Sequence, residues 1–386
     1  MNTLATTLPA LLAPSLGGHW RVRALGRSGF TGTWRADGDG RSLFLKTLPA
    51  TRADTLAAEA DGLAALAASG CVRVPAVAGC WSAEGTALLA LEWLELAGAA
   101  DGARLGRALG ALHSAPVAEG GGCFGWRRDN RLGATLQHNG WSRCGGLDGW
   151  IEFFAQRRLA PLRDALLAGG AAAALATAVD GVIAALPRYF DDGHLPRPSL
   201  IHGDLWSGNH AALADGTPVL YDPAVSVSDA EAELAMLELF GAPPPGFWPA
   251  YTAAAGLSPG YTRRRPLYQL HHLLNHALLF GGGYRAQSQA LAEQLARGRV
   301  LQPHTERADA AAAGRRAQWR LSQTAPCHPP TPPNPSSPRP SAWSRCPPGW
   351  RRRSRSRSPS PRSTSARRSW CRSRSRCCWP SCSTRW

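Results

Sequence analysis

The stretch Ser199-Leu200-Ile201-His202-Gly203-Asp204-Leu205-Trp206-Ser207-Gly208-Asn209, followed by Val219-Leu220-Tyr221-Asp222-Pro223, decides the reading of this chain. An apolar lead-in delivers a His-Gly-Asp loop with an asparagine five residues after the aspartate, and a second apolar run ends in another aspartate. Chemically, this is a carboxylate placed to accept a proton, followed by an amide oxygen and a carboxylate able to share a cation. Such a set suits phosphoryl transfer, where the protein mainly positions groups and neutralises charge. Gly, Asp, Asn and Ser are also ordinary turn residues, and an isolated His-Gly-Asp reads best as a turn between buried strands. The Asn209 spacing and the strand-borne Asp222 move the balance toward function, provided the rest of the chain supplies partners.

The first partner is a scarcity. Lys46 is the only lysine among 43 basic residues. In a chain that uses arginine almost everywhere, a retained lysine points to a place that wants a compact point charge rather than a guanidinium fork. Lys46 ends an apolar strand over 42–46. Before it come a strand over 20–25, the glycine-rich turn Gly26-Arg27-Ser28-Gly29-Phe30-Thr31-Gly32, and a strand over 33–36. A glycine hairpin of this kind lays backbone N–H groups against phosphates, which makes Gly26, Gly29 and Gly32 candidate phosphate-loop residues. Glycines serve ordinary bulges and turns as well. The order differs from a P-loop, where the lysine follows the glycines directly and opens a helix.

A helical pattern over 51–69 places Leu56, Leu63 and Leu66 on one side with Glu59 near the middle. Glu59 is either a solvated carboxylate or the partner that holds Lys46, as the strand lysine and helix glutamate do in kinases. The run over 86–94 reads as a buried strand giving way to a hinge, where backbone groups of Glu92, Trp93 and Leu94 are candidates to meet an adenine edge. Further on, helices are expected over 101–113, 150–167, 175–186, from 229, over 249–255, 268–279 and 285–300. Between the first two lies a Trp- and Gly-rich segment, 123–141. Its amides and aromatics make it a candidate ligand-contacting surface, with Asp129 and Asn130 foremost. His272 and His276 lie one helical turn apart without an acidic third ligand and read as core or capping residues.

The formal charge of +16 does not indicate a nucleic-acid-binding body. Residues 301–386 carry 18 arginines against Glu306 and Asp309, leaving 25 basic and 25 acidic residues in 1–300. The body is neutral, and the excess sits in an Arg/Ser/Pro-rich tail. Three readings of that tail compete: a disordered arm for RNA or acidic partners, an appendage without a role, and translation from a shifted reading frame. Cys and Trp scattered among Arg, Ser and Pro favour the third, because disordered segments are poor in aromatic residues. No Cys-x-x-Cys pair or zinc-finger spacing occurs. Residues 1–16 lack a basic leader, so a signal peptide is not expected. The Ala/Gly stretch over 165–186 is weakly apolar and interrupted by Asp180, which reads as a helix or helix pair rather than a membrane span. A reduced, cytoplasmic setting follows as the default.

With these pieces in place, the body from about 20 to 300 resembles the fructosamine kinase (ketosamine 3-kinase) family, within the aminoglycoside phosphotransferase and protein-kinase-like superfamily. The resemblance rests on 202–209, Tyr221-Asp222-Pro223-Ala224, the segment 234–241, the Trp126 to Trp141 segment, Leu273-Leu274-Asn275-His276 and Phe280-Gly281-Gly282-Gly283-Tyr284. His-Gly-Asp plus asparagine belongs to the whole superfamily; Trp206 and the Trp126–Trp141 pattern narrow it. The resemblance implies that Asp204 orients or deprotonates a sugar 3-hydroxyl and that Asn209 and Asp222 hold Mg2+. Lys46 would grip the phosphates of ATP, Glu59 would brace Lys46, and His202, Trp206, Asp129 and Asn130 would meet the substrate. Members phosphorylate ketosamines, after which the sugar falls away and the amine is recovered. The chain departs from the pattern in its glycine loop, which carries Phe30 and Thr31 and no cysteine for a disulfide switch. It departs again at Arg127, Arg131 and His138, and in reading Ser228-Asp229-Ala230-Glu231 where an arginine is common.

The expected architecture is α+β, a two-lobed protein-kinase-like fold. It comprises an N-terminal extension (1–17), a small antiparallel-sheet lobe that binds nucleotide (18–93), a larger helical catalytic lobe (94–300) and the tail (301–386). Two alternatives stand beside the ketosamine kinase. One is a phosphotransferase for another hydroxylated amine such as an aminoglycoside; the other is a non-catalytic nucleotide-binding protein with an RNA-binding tail.

Overall fold

The run Leu43-Phe44-Leu45 shows no polar alternation, the mark of a strand covered on both faces. The computed structural model describes residues 2–298 and contains both covers. Helix α1 (Asn2–Leu16) comes first, followed by strands β1 (Arg21–Ser28), β2 (Thr31–Gly38) and β3 (Arg41–Pro49) and helix α2 (Ala53–Ala68). Strands β4 (Val77–Ala83) and β5 (Thr86–Glu92) complete an antiparallel sheet in the order β1-β2-β3-β5-β4. Successive side chains of a strand point to opposite faces. Leu43 and Leu45 accordingly pack with Leu8, Leu11 and Leu12 of α1 and with Trp20 and Trp34. Phe44 and Leu48 share the opposite core with Leu56, Leu63 and Leu66 of α2. Lys46 has the parity of Phe44 and Leu48, so it emerges on the α2 side. The stretch read from sequence as an N-terminal extension is thus a helix that closes the outer face of the sheet.

The rest of the described chain is mainly helical. It runs through β6 (Leu96–Gly98), α3 (Gly102–Ser114), the hairpin β7 (Asn130–Leu132) and β8 (Thr135–Gln137), then α4 (Gly146–Phe153), α5 (Ala160–Ala168) and α6 (Ala173–Ala185). A π-helical stretch, Phe154–Leu159, joins α4 to α5, and the pair α5 and α6 is separated at Gly169-Gly170. Strands β9 (Ser199–Ile201), β10 (His210–Leu213), β11 (Pro218–Leu220) and β12 (Ser226–Ser228) follow, then α7 (Ala230–Leu239), α8 (Phe247–Ala255), α9 (Tyr261–Phe280) and α10 (Gly283–Ala296). Asp101 and Asp229 cap α3 and α7 through their side chains, as their positions before apolar periodic runs lead one to expect. Helix α9 begins earlier than the apolar pattern suggested, because Arg264 near its start is buried against Glu231 and Asp192.

Residues from α4 to α6 and from α9 and α10 form a second core around Trp150, Phe153, Phe154, Val179, Val182, Tyr268 and Leu274. Among the described residues, one segment, Ala173–Phe190, is long and apolar enough to cross a membrane, and its Val179 and Val182 lie within this core. The tail reading falls on residues outside those described.

The covering role of α1 is testable. Leu12 is fully buried, and Leu12→Ala is expected to lower the unfolding free energy by about 2–4 kcal/mol. Urea denaturation followed by tryptophan fluorescence measures this; an unchanged midpoint would mean that α1 does not close the sheet.

Candidate active site

Strands β9 and β12 pair antiparallel, as do β10 and β11. The loop from β9 to β10 and the loop from β11 to β12 therefore run between the same two strand pairs, side by side. They are clipped together three times. Tyr221 N donates to Asn209 O (3.1 Å), and Ala224 N donates to His202 O (2.8 Å). His202 Nε2 donates to Tyr221 O (2.9 Å), which fixes the tautomer and leaves Nδ1 to accept from Asp204 N (3.3 Å). His202 is fully buried, and burial lowers its pKa, so it is a neutral pin between the loops. Expected at the substrate, it has both ring nitrogens engaged by the protein. Gly203 has φ +83°, and a Cβ there would sit 2.0 Å from Ala224 O, so only glycine fits between the loops.

Beneath the loop lies a residue that sequence reading passed over. Glu233, in the first turn of α7, is buried and accepts from His202 N (3.0 Å), Gly203 N (2.8 Å) and His113 Nε2 (2.9 Å). His113 in turn meets Tyr251 OH at 2.9 Å. Burial opposes the Glu233 charge, but the bonds from His113 and the loop outweigh it and hold the carboxyl below its ordinary range. The sole signal in the sequence was an acid in an apolar helical segment with no basic neighbour.

The two loops, with β3 and α2, assemble the charged centre. Lys46 Nζ lies 2.7 Å from Glu59 Oε1 and 2.5 Å from Asp222 Oδ1. Burial works against the ammonium, yet Asp222 and Glu59 more than offset it and raise its pKa, so Lys46 stays charged. Burial raises the Glu59 pKa, with Lys46 opposing. Glu59 reaches Lys46 because it lies on the same helical face as Leu56, Leu63 and Leu66. Gly62, one turn on, brings the α2 backbone against Pro223 and Val225 just past Asp222. Asp222 itself adopts φ +59°, a left-handed conformation that costs a non-glycine residue about 1–3 kcal/mol.

Asp204 is the carboxylate nearest in character to a proton acceptor. Burial pushes its pKa well above the usual carboxylate range, and the negative charge of Asp222 adds to that. Asn209 Nδ2 donates to Asp204 O (2.8 Å) and Oδ2 (3.2 Å), which commits the amide NH2 to the loop and leaves the amide oxygen for other use. That oxygen and the Asp222 carboxylate are hard donors of the kind magnesium takes, so the residues present fit such an ion.

Other sequence candidates divide. Gly26 and Gly29, at φ +150° and +57°, shape the β1–β2 hairpin, whose strands bulge between Ala24 and Gly26. Gly32 packs under Thr47 and Trp34, where a Cβ would come within 2.7 Å of Thr47 Oγ1. At the hinge, Glu92 N donates to Ala76 O and Trp93 N to Ser42 O, so neither amide is left for a base. The Glu92 carboxylate pairs with Arg73 (2.5 Å) and the Trp93 indole bonds Glu95. Leu94 is buried against Val219 and Tyr221. Trp206 is 40% exposed, as a ligand-facing ring requires. Asp129 and Asn130, expected at the substrate, hold contacts within their own segment and to the loop that carries Asp222. Asp129 accepts from Asn139 N (2.8 Å) and pairs with His138, while the buried Asn130 donates to Val225 O and accepts from Gln137. This segment also grips α2, through Trp126 and Arg127 on Asp61 and Arg128 on Ala57 O, contacts without a sequence signal.

Replacing Glu233 with Gln sets an amide NH2 against donors. The expected results are a loss of about 1–3 kcal/mol in stability and a fall in kcat, because the loop carrying Asp204 loses its seat. The ordinary carboxylate value is 4.5 and the folded-state pKa is depressed. The Glu233 contribution is therefore present above that value and lost as pH falls through the folded pKa. Denaturation of wild type and E233Q from pH 7 to 3 checks both; parallel curves would exclude the charged role.

Comparison with known proteins agrees with this geometry. The family model for fructosamine kinase matches residues 22–297. A probable ketoamine kinase of Synechocystis sp. is 41% identical over 270 residues, spanning 68% of this chain and 85% of that one. The chloroplastic protein-ribulosamine 3-kinase of Oryza sativa subsp. indica is 33% identical over 263 residues, covering 67% of this chain and 74% of the rice protein. Among solved structures, a provisionally named fructosamine-3-kinase of Thermobifida fusca superposes with a TM-score of 0.65 at 33% identity, covering 75% of this chain and 99% of the other. The chain belongs to the fructosamine kinase family and is an ATP-dependent kinase.

Proposed function

We propose that the protein transfers the γ-phosphoryl group of ATP to the 3-hydroxyl of a ketosamine, a sugar adduct of a protein or free amine, as the first step of deglycation in the cytoplasm. The observation that carries this reading is the joining of Lys46 to Glu59 and Asp222, and of Asn209 to Asp204, at the two clipped loops, beside an exposed Trp206. The relatives' printed names, ketoamine kinase and protein-ribulosamine 3-kinase, give the acceptor class.

In this reading each residue has one task. Asp204, with its pKa raised by burial, accepts the proton of the attacking hydroxyl. Lys46, held by Glu59 at 2.7 Å, turns from Asp222 toward the nucleotide phosphates. The β1–β2 hairpin with Gly26 and Gly29 covers those phosphates. Asn209 and Asp222 hold magnesium, which when bound neutralises charge on the phosphates. Adenine stacks at the hinge, with Leu94 rather than Glu92 or Trp93 offering a backbone amide. Trp206 lies against the sugar. Phosphate at position 3 makes the adduct labile, and the free amine is regenerated.

Two measurements test the proposal. Asp204→Asn is expected to lower kcat by about 10²–10⁴-fold while nucleotide affinity, read by calorimetry, stays within a few-fold; unchanged turnover would remove Asp204 from its role. A panel of fructose–lysine, ribulose–lysine and aminoglycosides, with the phosphate position read by NMR, tests the substrate. Transfer to aminoglycosides alone would overturn the ketosamine assignment.

A further inference from the structure

Away from the phosphoryl-transfer centre, a cleft of about 330 Å³ opens between α3, the β10–β11 turn and the strap that leaves α2. Its walls carry Arg73 on the strap, Arg104, Arg107 and Ala108 on α3, and Thr217 and Pro218 where β11 begins. Positions 104, 107 and 108 are three and four apart and share one side of the helix. Leu105, Leu109 and Leu112 turn the other side into the core. Two of the guanidinium groups are fixed in place. Arg104 donates to Asp215 O and to Thr217 Oγ1 (3.1 Å). Arg73 donates to Val74 O and pairs with Glu92 (2.5 Å), while its own carbonyl accepts from Leu220 N (2.9 Å). The Asp215 carboxylate is taken up by Thr217 N and Oγ1. Arg107 is exposed and, among the described residues, has no hydrogen-bond or ion-pair partner.

The charge here is out of balance. Residues 1–300 hold equal numbers of basic and acidic residues, yet three arginines share this cleft with the acids Glu92 and Asp215 alone as neighbours, which leaves a positive charge unmatched. A guanidinium has five N–H donors, and Arg73 and Arg104 each commit only part of theirs to the partners above. The remainder, with the whole of Arg107, surrounds a space large enough for a small ligand. Arginine forks suit the oxygens of phosphate, which accepts paired N–H bonds from more than one side. We propose that this cleft is a second anion site, separate from the transfer centre, and that it takes inorganic phosphate or the phosphate of a small monoester. Its surroundings give the position a meaning. The strap of Arg73 continues from α2, which bears Glu59, and the Leu220 bonded to Arg73 lies two residues before Asp222. A phosphate shared by Arg107 and Arg73 ties α3 to that strap and so braces the elements that carry both partners of Lys46. The site does not depend on the acceptor being a ketosamine.

The test is calorimetric titration of inorganic phosphate, and separately of fructose 6-phosphate, into the full chain saturated with AMP-PNP and Mg2+, which keeps phosphate out of the transfer centre. Wild type is expected to bind, and Arg107→Glu to bind at least about tenfold more weakly. Arg107→Lys, which keeps the charge and loses the fork, is expected to fall between the two. Tighter binding of fructose 6-phosphate identifies a phosphorylated metabolite as the occupant; equal or weaker binding identifies free phosphate. No binding by wild type, or equal binding by wild type and Arg107→Glu, overturns the site. Affinity for AMP-PNP is expected to be the same in both proteins, because Arg107 lies outside the nucleotide cleft. A loss of nucleotide affinity in Arg107→Glu would place that residue at the transfer centre and overturn a separate site.

Discussion

Everything chemical in this molecule depends on a neutral imidazole and a buried carboxylate under one loop. His202 joins the loop of Asp204 and Asn209 to the loop of Asp222, and Glu233 takes the backbone N–H groups of His202 and Gly203. Without them, carboxylates at Asp204 and Asp222 would repel one another with nothing to fix their spacing. A buried acid is expensive unless its lone pairs are used; here three donors use them, so the loop geometry is locked by the same bonds that make the charge tolerable.

The second constraint is the two-sided burial of β3. Because Leu43 and Leu45 face α1 while Phe44 and Leu48 face α2, the strand cannot slip by one residue without exposing a whole face. That register aims Lys46 at Glu59. Helix α2 is in turn tied to the large lobe by Asp61, which takes Trp126 and Arg127, and by the close approach of Gly62 to Pro223 and Val225. The glutamate that braces the lysine is therefore anchored to the catalytic lobe as well as to its own sheet.

Several assignments moved when neighbours became visible. His202 was expected at the substrate from the family resemblance, and Asp129 and Asn130 also from the polar, aromatic segment that carries them. In the fold their polar atoms are taken by Tyr221 O, Asn139 N and Val225 O. At the hinge, the Glu92 and Trp93 N–H groups donate to Ala76 O and Ser42 O, so neither N–H is left for a base. His272 and His276, read as core or capping residues, do include one such pair, since His276 bonds His272 O.

By itself the sequence singled out Asp204, Asn209, Asp222, the lone Lys46 and Glu59 as candidates, through residue types and, for Asp204 and Asn209, a local spacing; the fold joins Lys46 to Glu59 and Asp222, and Asn209 to Asp204. Helix starts at Asp101 and Asp229 were legible because a cap acts within one turn. What only the tertiary structure decided was what comes from far along the chain: Glu233 under the loop, α1 over the sheet, Asp61 holding Trp126 and Arg127, and Arg73 sharing one cleft with the arginines of α3. Those contacts depend on which faces are buried against which. A sequence pattern shows that a face is apolar, but not what covers it.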